Sequence, residues 1–192
     1  MYKNFLLLIF MVLGISLGLA QEEDSSETRG MMLNPELSIP PEPGPLLTSR
    51  QLDRQKIYTS LDRALVDPES VYKLDLSGQR YREVPTEIFR LVNLQVLDLG
   101  ENKLSALPDN IIDLQNLQVL ILTDNKLRSL PEEMREMNNL ERLYLGENKL
   151  MEMPAWVGGL AKLRYMDLHR NYITLYEVNK LQERLPHCEI AY

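Results

Sequence analysis

Tyr165, Asp167 and His169 alternate along the stretch LRYMDLHRN. Alternate residues of a strand project to one side, so a phenol, a carboxylate and an imidazole would share a face, as acid–base chemistry needs. Asp75 and Asp98 form a second set, one carboxylate at matching places in two similar stretches. Neither set has company: no serine sits in a nucleophile elbow, no Gly-rich loop could cradle phosphate, and no oxyanion donor is placed beside them. Cys188, the single cysteine, lies in LPHCEI beside His187, one of two histidines. That excludes an internal disulfide and offers no Cys/His metal spacing, so a small buried apolar role is expected for the thiol. The expectation is of a non-enzyme with no metal and no cofactor.

Those residues are positioned by a repeat. VYKLDLSGQRYREVPTEIFRLVN starts at Val71, LQVLDLGENKLSALPDNIIDLQN at Leu94, LQVLILTDNKLRSLPEEMREMNN at Leu117 and LERLYLGENKLMEMPAWVGGLAK at Leu140. LRYMDLHRNYI opens a fifth copy at Leu163, and every interval between starts is 23 residues. The shared pattern is L-x-x-L-x-L-x-x-N-x-L-x-x-L-P-x-x-I-x-x-L-x-N. Within one copy, Leu97 and Leu99 show the period of two that marks a short half-buried strand. Leu104, Leu107, Ile111 and Leu114 follow at spacings of three and four, which suits a turn or loose helix on the return. One coil cannot enclose its own leucines, whereas stacked coils bury each other's.

This pattern resembles the leucine-rich repeat, in the 23-residue Leu-Pro form of bacterial proteins. The resemblance spans residues 71–192 and implies an α/β solenoid: a horseshoe with short parallel strands on its concave face. Asn102, Asn125, Asn148 and Asn171 fall where the chain leaves each strand. A buried turn there would leave peptide groups unpaired, and an amide both donates and accepts, so the four are expected to form a structural ladder. Gln79 takes this place in the first coil, and Pro85, Pro108, Pro131 and Pro154 fix φ where each return begins. Positions between the leucines should face outward on the concave side. Val96, Val119, Ile121 and Tyr144 make an apolar patch there, flanked by Arg142, Tyr165, Asp167 and His169. These eight are the expected partner-binding residues, because apolar surface rimmed by polar groups marks interaction sites and Tyr and Arg anchor them. Glu101, Asp124 and Glu147 beside Lys103, Lys126 and Lys149 read as two solvated rows.

The ends are expected to be capped. Residues 51–70 read as an N-terminal helical cap, with Ile57, Leu61, Ala64 and Leu65 on one face before Asp67-Pro68. Repeats occupy 71–173. Thr174 and Glu177 suggest a capping box, opening a helix to about Leu185 that Pro186 ends, with Cys188 to Tyr192 as a last strand; 174–192 is the C-terminal cap. Upstream, 21–50 is acidic and then proline-rich, five prolines falling in NPELSIPPEPGPLL, which suits an unfolded tether. Residues 1–20 carry Lys3, an apolar run and Gly18-Leu19-Ala20, the pattern of a cleaved secretory signal peptide. With Gln21 rather than cysteine directly after that run, a lipid anchor of the bacterial type is not expected. Removing it takes away Lys3 and no acid, so the formal charge of −7 becomes −8. Such acidity argues against nucleic acid and anionic lipid as partners.

The sequence thus points to a secreted or periplasmic module, monomeric and without stable membrane insertion, that binds a protein or peptide on its concave face. Two alternatives differ in class. One is an envelope scaffold. The other, if the leader is not a signal, is an intracellular signalling scaffold resembling the small-GTPase-binding members of the family.

Overall fold

Short strands form where one apolar residue is flanked by two outward-facing ones, and this chain repeats that unit. The computed structural model describes residues 42–192, so the expected leader at 1–20 and the tether from 21 to 41 lie outside the described residues. Seven strands run parallel in chain order: β1 (Ile57–Tyr58), β2 (Lys73–Asp75), β3 (Val96–Asp98), β4 (Val119–Ile121), β5 (Arg142–Tyr144), β6 (Tyr165–Asp167) and β7 (Glu189–Ala191). Registration advances by one repeat at a time. Lys73, Val96, Val119, Arg142 and Tyr165 form one row, and Leu74, Leu97, Leu120, Leu143 and Met166 the next. The middle row is fully buried while its neighbours in the first four of these strands keep partial access to water.

The returns are tighter than a loose helix. They are 3₁₀ turns at Thr86–Arg90, Asp109–Asp113, Glu132–Glu136 and Ala155–Gly159, each preceded directly by proline. Proline's fixed φ sets the entry, and its missing N–H is not needed there. Each turn drops one apolar residue inward: Ile88, Ile111, Met134 and Val157 are all buried. Leucines from successive coils join one cluster running from Ala64 to Cys188. At ~1.5–3 kcal/mol per buried Leu or Ile, this shared interior dominates the stability. The described chain is an α/β solenoid with an open parallel sheet on the concave side.

Both ends close the stack differently from its middle. At the front come α1 (Ser49–Asp53), β1, α2 (Leu61–Ala64) and a 3₁₀ turn at Pro68–Ser70. The amphipathic helix expected from Ile57 starts only at Leu61. Ile57 and Tyr58 instead pair with Lys73 and Leu74, because the open edge of β2 offers bonds that a helix would leave unused. At the far end α3 (Leu175–Arg184) starts at Thr174, whose Oγ1 accepts from Glu177 N–H at 3.3 Å. Gln182 then donates to the carbonyls of Leu185 and Cys188 and turns the chain into β7.

One segment departs from its composition. Proline content extends the tether to Arg50, whereas residues 44–47 are hydrogen-bonded to the coils and Ser49–Asp53 is helical. Proline forbids helix at 43–45 but leaves carbonyls free to bond sideways, and buried amides at the strand entrances take them up.

Candidate functional site

The asparagine column is the frame that holds the concave face in place. Asn125 Nδ2 donates to Leu99 O at 2.9 Å and Leu122 O at 3.1 Å, while its Oδ1 accepts from Leu104 N–H at 2.9 Å. Asn148 repeats this one coil on, to Leu122 O, Leu145 O and Leu127 N–H. Asn102 and Asn171 do the same at the ends of the column. Leu99 O, Leu122 O and Leu145 O are therefore each held by two successive asparagines. The residue just before each asparagine, Glu101, Asp124, Glu147 or Arg170, has φ between +52° and +56°. In the first coil Gly78 takes that conformation at φ +67°. The acidic row thus lies on a left-handed turn, a strain glycine relieves only once.

Between the strand leucines, Val96, Val119, Ile121, Arg142 and Tyr144 surround a hollow of about 460 Å³. Lys73, Glu141 and Asp53 place charge at its rim, and Leu52 and Ser49 of α1 close one side. Leu52 is only 6% exposed. Tyr165 stacks on Tyr144, ring centres 5.2 Å apart and tilted by 45°, within the range of a favourable aromatic pair. Burial, and then the Asp167 charge, raise the Tyr165 hydroxyl's pKa.

Asp167 and His169 do not line the hollow. They engage each other: His169 Nδ1 lies 2.6 Å from Asp167 Oδ1, which also accepts from the His169 backbone N–H. His169 Nε2 faces Glu147 at 3.6 Å, and Arg170 closes on the same carboxylate at 2.9 Å. The Asp167 hydrogen bond, partly opposed by burial, lifts the His169 pKa above its ordinary value. Gly146 makes room for the ring, since a Cβ there would collide with His169 Cε1 and Nδ1. Asp75 and Asp98 serve the strand exits in the same way, accepting from Ser77 and Gly100 N–H. Burial, opposed by the Gly100 bond, raises the Asp98 pKa. Chemically this is an imidazole held between carboxylates, both ring nitrogens engaged. Among the described residues no group of three or more His, Cys, Asp or Glu is placed to hold a metal.

Of the eight expected partner-facing residues, five border the hollow and Tyr165 joins through its stack. Sequence reasoning missed Leu52 and Asp53, because a short SRQLD helix after a proline run carries no sign of where it folds. It also passed over Gln95 and Gln118, whose recurrence in one column was the available signal.

Parallel strands, proline-led returns and an amide ladder define a class of repeat solenoid that presents a surface. A family model described as "Leucine-rich repeat region" matches residues 72–185. The chain belongs to the leucine-rich-repeat family, in its bacterial 23-residue form. Among solved structures, a leucine-rich-repeat protein of Leptospira interrogans is similar, at 33% identity with a TM-score of 0.63. That match covers 72% of this chain and 35% of the other, so this chain spans about a third of the length of that protein. No curated protein matches the sequence.

Proposed function

We propose that this chain is an exported, non-enzymatic binding module that seats a protein or peptide in the concave hollow. The observation carrying this is the hollow itself: apolar walls from Val96, Val119, Ile121 and Tyr144, with Lys73, Glu141 and Arg142 at the rim. An apolar group entering it would be desolvated among side chains held by a rigid sheet, while the rim charges select what surrounds that group. Rigidity matters because a surface that does not reorder on binding loses less entropy. The acid–base residues support the same reading, since Asp167 and His169 are spent on each other and on strand geometry. Membership of the family favours a protein partner.

Export rests on the leader-like residues 1–20 and has its own test. Mass spectrometry of the protein from its host should find a chain beginning at Gln21; one beginning at Met1 would favour the intracellular scaffold instead. The hollow is tested by Ile121→Lys with Tyr144→Ala, which should abolish partner binding while leaving the urea midpoint near that of the parent.

A further inference from the structure

At the strand entrances the chain binds a piece of itself. Gly44 donates its N–H to Asn93 Oδ1, and its carbonyl accepts from Asn116 Nδ2 at 2.9 Å. Pro45 O accepts from Gln95 Nε2 at 3.3 Å, Leu47 N–H donates to Gln95 Oε1 at 2.9 Å, and Leu47 O accepts from Gln118 Nε2 at 3.0 Å. Gln118 Nε2 also reaches Gln95 Oε1 at 3.0 Å, joining the two glutamines. All four amides are buried, Gln95 completely.

Three features set this cradle apart from an ordinary covering. Every bond that reaches the strap goes to its main chain, while Pro43, Pro45 and Leu46 face water. Asn116 is diverted from its column: Asn93 and Asn139 donate to carbonyls 24 residues back, Glu69 and Gln115, but Asn116 donates to Gly44. The paired amides also stop where the strap stops. The same two columns carry Ser70 and Tyr72 before it, then Asn139 with Glu141, and Lys162 with Arg164.

We propose that Asn93, Gln95, Asn116 and Gln118 form a peptide-binding cradle for a Gly-Pro-x-x segment of a partner protein, held by its main chain and occupied in cis by Gly44–Leu47. The ligand class follows from the contacts. A Cβ at Gly44 would meet Asn93 Oδ1 at 3.0 Å, a tight contact that favours the smallest residue at that place. Pro45 follows, a residue with no N–H to leave unpaired, and Leu47 is held by both its peptide groups. Such bonds contribute modestly in exchange with water and are opposed by the entropy of ordering the strap, so a partner segment with the same chemistry competes. Because α1 closes one side of the concave hollow, exchange at the cradle also opens the surface proposed above. The inference rests on that reading only for this link.

The test uses the full chain and a fluorescent peptide with the sequence of residues 42–48, which bonds the cradle and, of the residues lining the hollow, meets Gln118 alone. Gly44→Val crowds Asn93 from the strap side and leaves the cradle intact. It should bind the peptide at least about tenfold tighter than the parent, whose site is open only a fraction of the time. Adding Asn116→Ala, which removes a bond only to the strap, should weaken that binding, and Gln95→Ala with Gln118→Ala should abolish it. Adding Ile121→Lys and Tyr144→Ala should leave it unchanged. Urea midpoints confirm that each variant folds, and amide exchange at Leu47 should quicken in Gly44→Val. Equal peptide affinity for parent and Gly44→Val, or indifference to the cradle alanines, overturns the cradle. Loss of peptide only with the Ile121 and Tyr144 changes also overturns it, yet leaves the concave reading standing. A Gly44→Val dimer by light scattering would make a second copy the occupant and overturn the partner assignment.

Discussion

Asn125 and Asn148 each hold the carbonyl of Leu122, and this sharing predicts a specific failure of additivity. Asn125→Ala strands Leu104 N–H, which has no other partner among the described residues, and removes one of two donors from each of Leu99 O and Leu122 O. A stranded buried N–H costs ~1–3 kcal/mol and each lost bond ~0.5–1.5 kcal/mol, so the single change should destabilise by about 3 kcal/mol. For a domain of this size that lowers Tm by roughly 6–12 °C. Asn148→Ala should behave alike through Leu127 N–H. Made together, the two changes leave Leu122 O with neither amide, adding ~1–2 kcal/mol beyond the sum of the singles. Asn102 and Asn148 share no carbonyl, so that pair should add simply. Urea unfolding followed at Trp156, the only tryptophan, gives all five free energies, with Lys126→Ala as an exposed control near zero. Equal coupling in the two pairs, or a midpoint for Asn125→Ala no lower than for Lys126→Ala, would refute the shared-acceptor ladder.

Three further outcomes follow. His169 should titrate above the ordinary histidine value because Asp167 holds its proton, and Asp167→Asn should bring the NMR midpoint down. Since the folded pKa is the raised one, the stability given by the charged pair is complete below pH ~6.5 and fades as pH rises through the folded value; the gap between the parent and His169→Gln should shrink accordingly. Cys188, its thiol pushed up to about 11 by burial, should ignore a thiol reagent at pH ~8 in the folded protein and react once urea unfolds it. Gly78→Ala should cost about 1 kcal/mol although nothing lies within 4 Å of the added Cβ, because the penalty is φ rather than space; a neutral melting shift would refute it.

The repeats were legible because each coil is a local rule applied again. Leucine spacing gave the strands, and the asparagines fell where peptide groups had to turn inward. Ile57 misled because helical spacing says nothing of an open strand edge that can outbid it. The strap was illegible for a related reason: its five bonds reach residues about 50 to 70 positions away, and proline-rich composition looks the same whether such a chain is free or held. The hollow was half visible, its strand residues in the columns of the repeat and its α1 wall supplied from outside them. Gly146 was legible only afterwards, since the ring it admits comes from the next coil.

On the proposed function, the concave hollow is where this protein meets its partner. Its most direct test is a pull-down from envelope and culture-medium fractions of the host, with three folded baits: the parent, the Val119→Glu, Ile121→Lys and Tyr144→Ala variant, and a convex variant, Glu133→Ala with Arg135→Ala. One partner should be held by the parent and convex baits and lost from the concave one. A partner held equally by the concave variant, or lost only from the convex one, would contradict it.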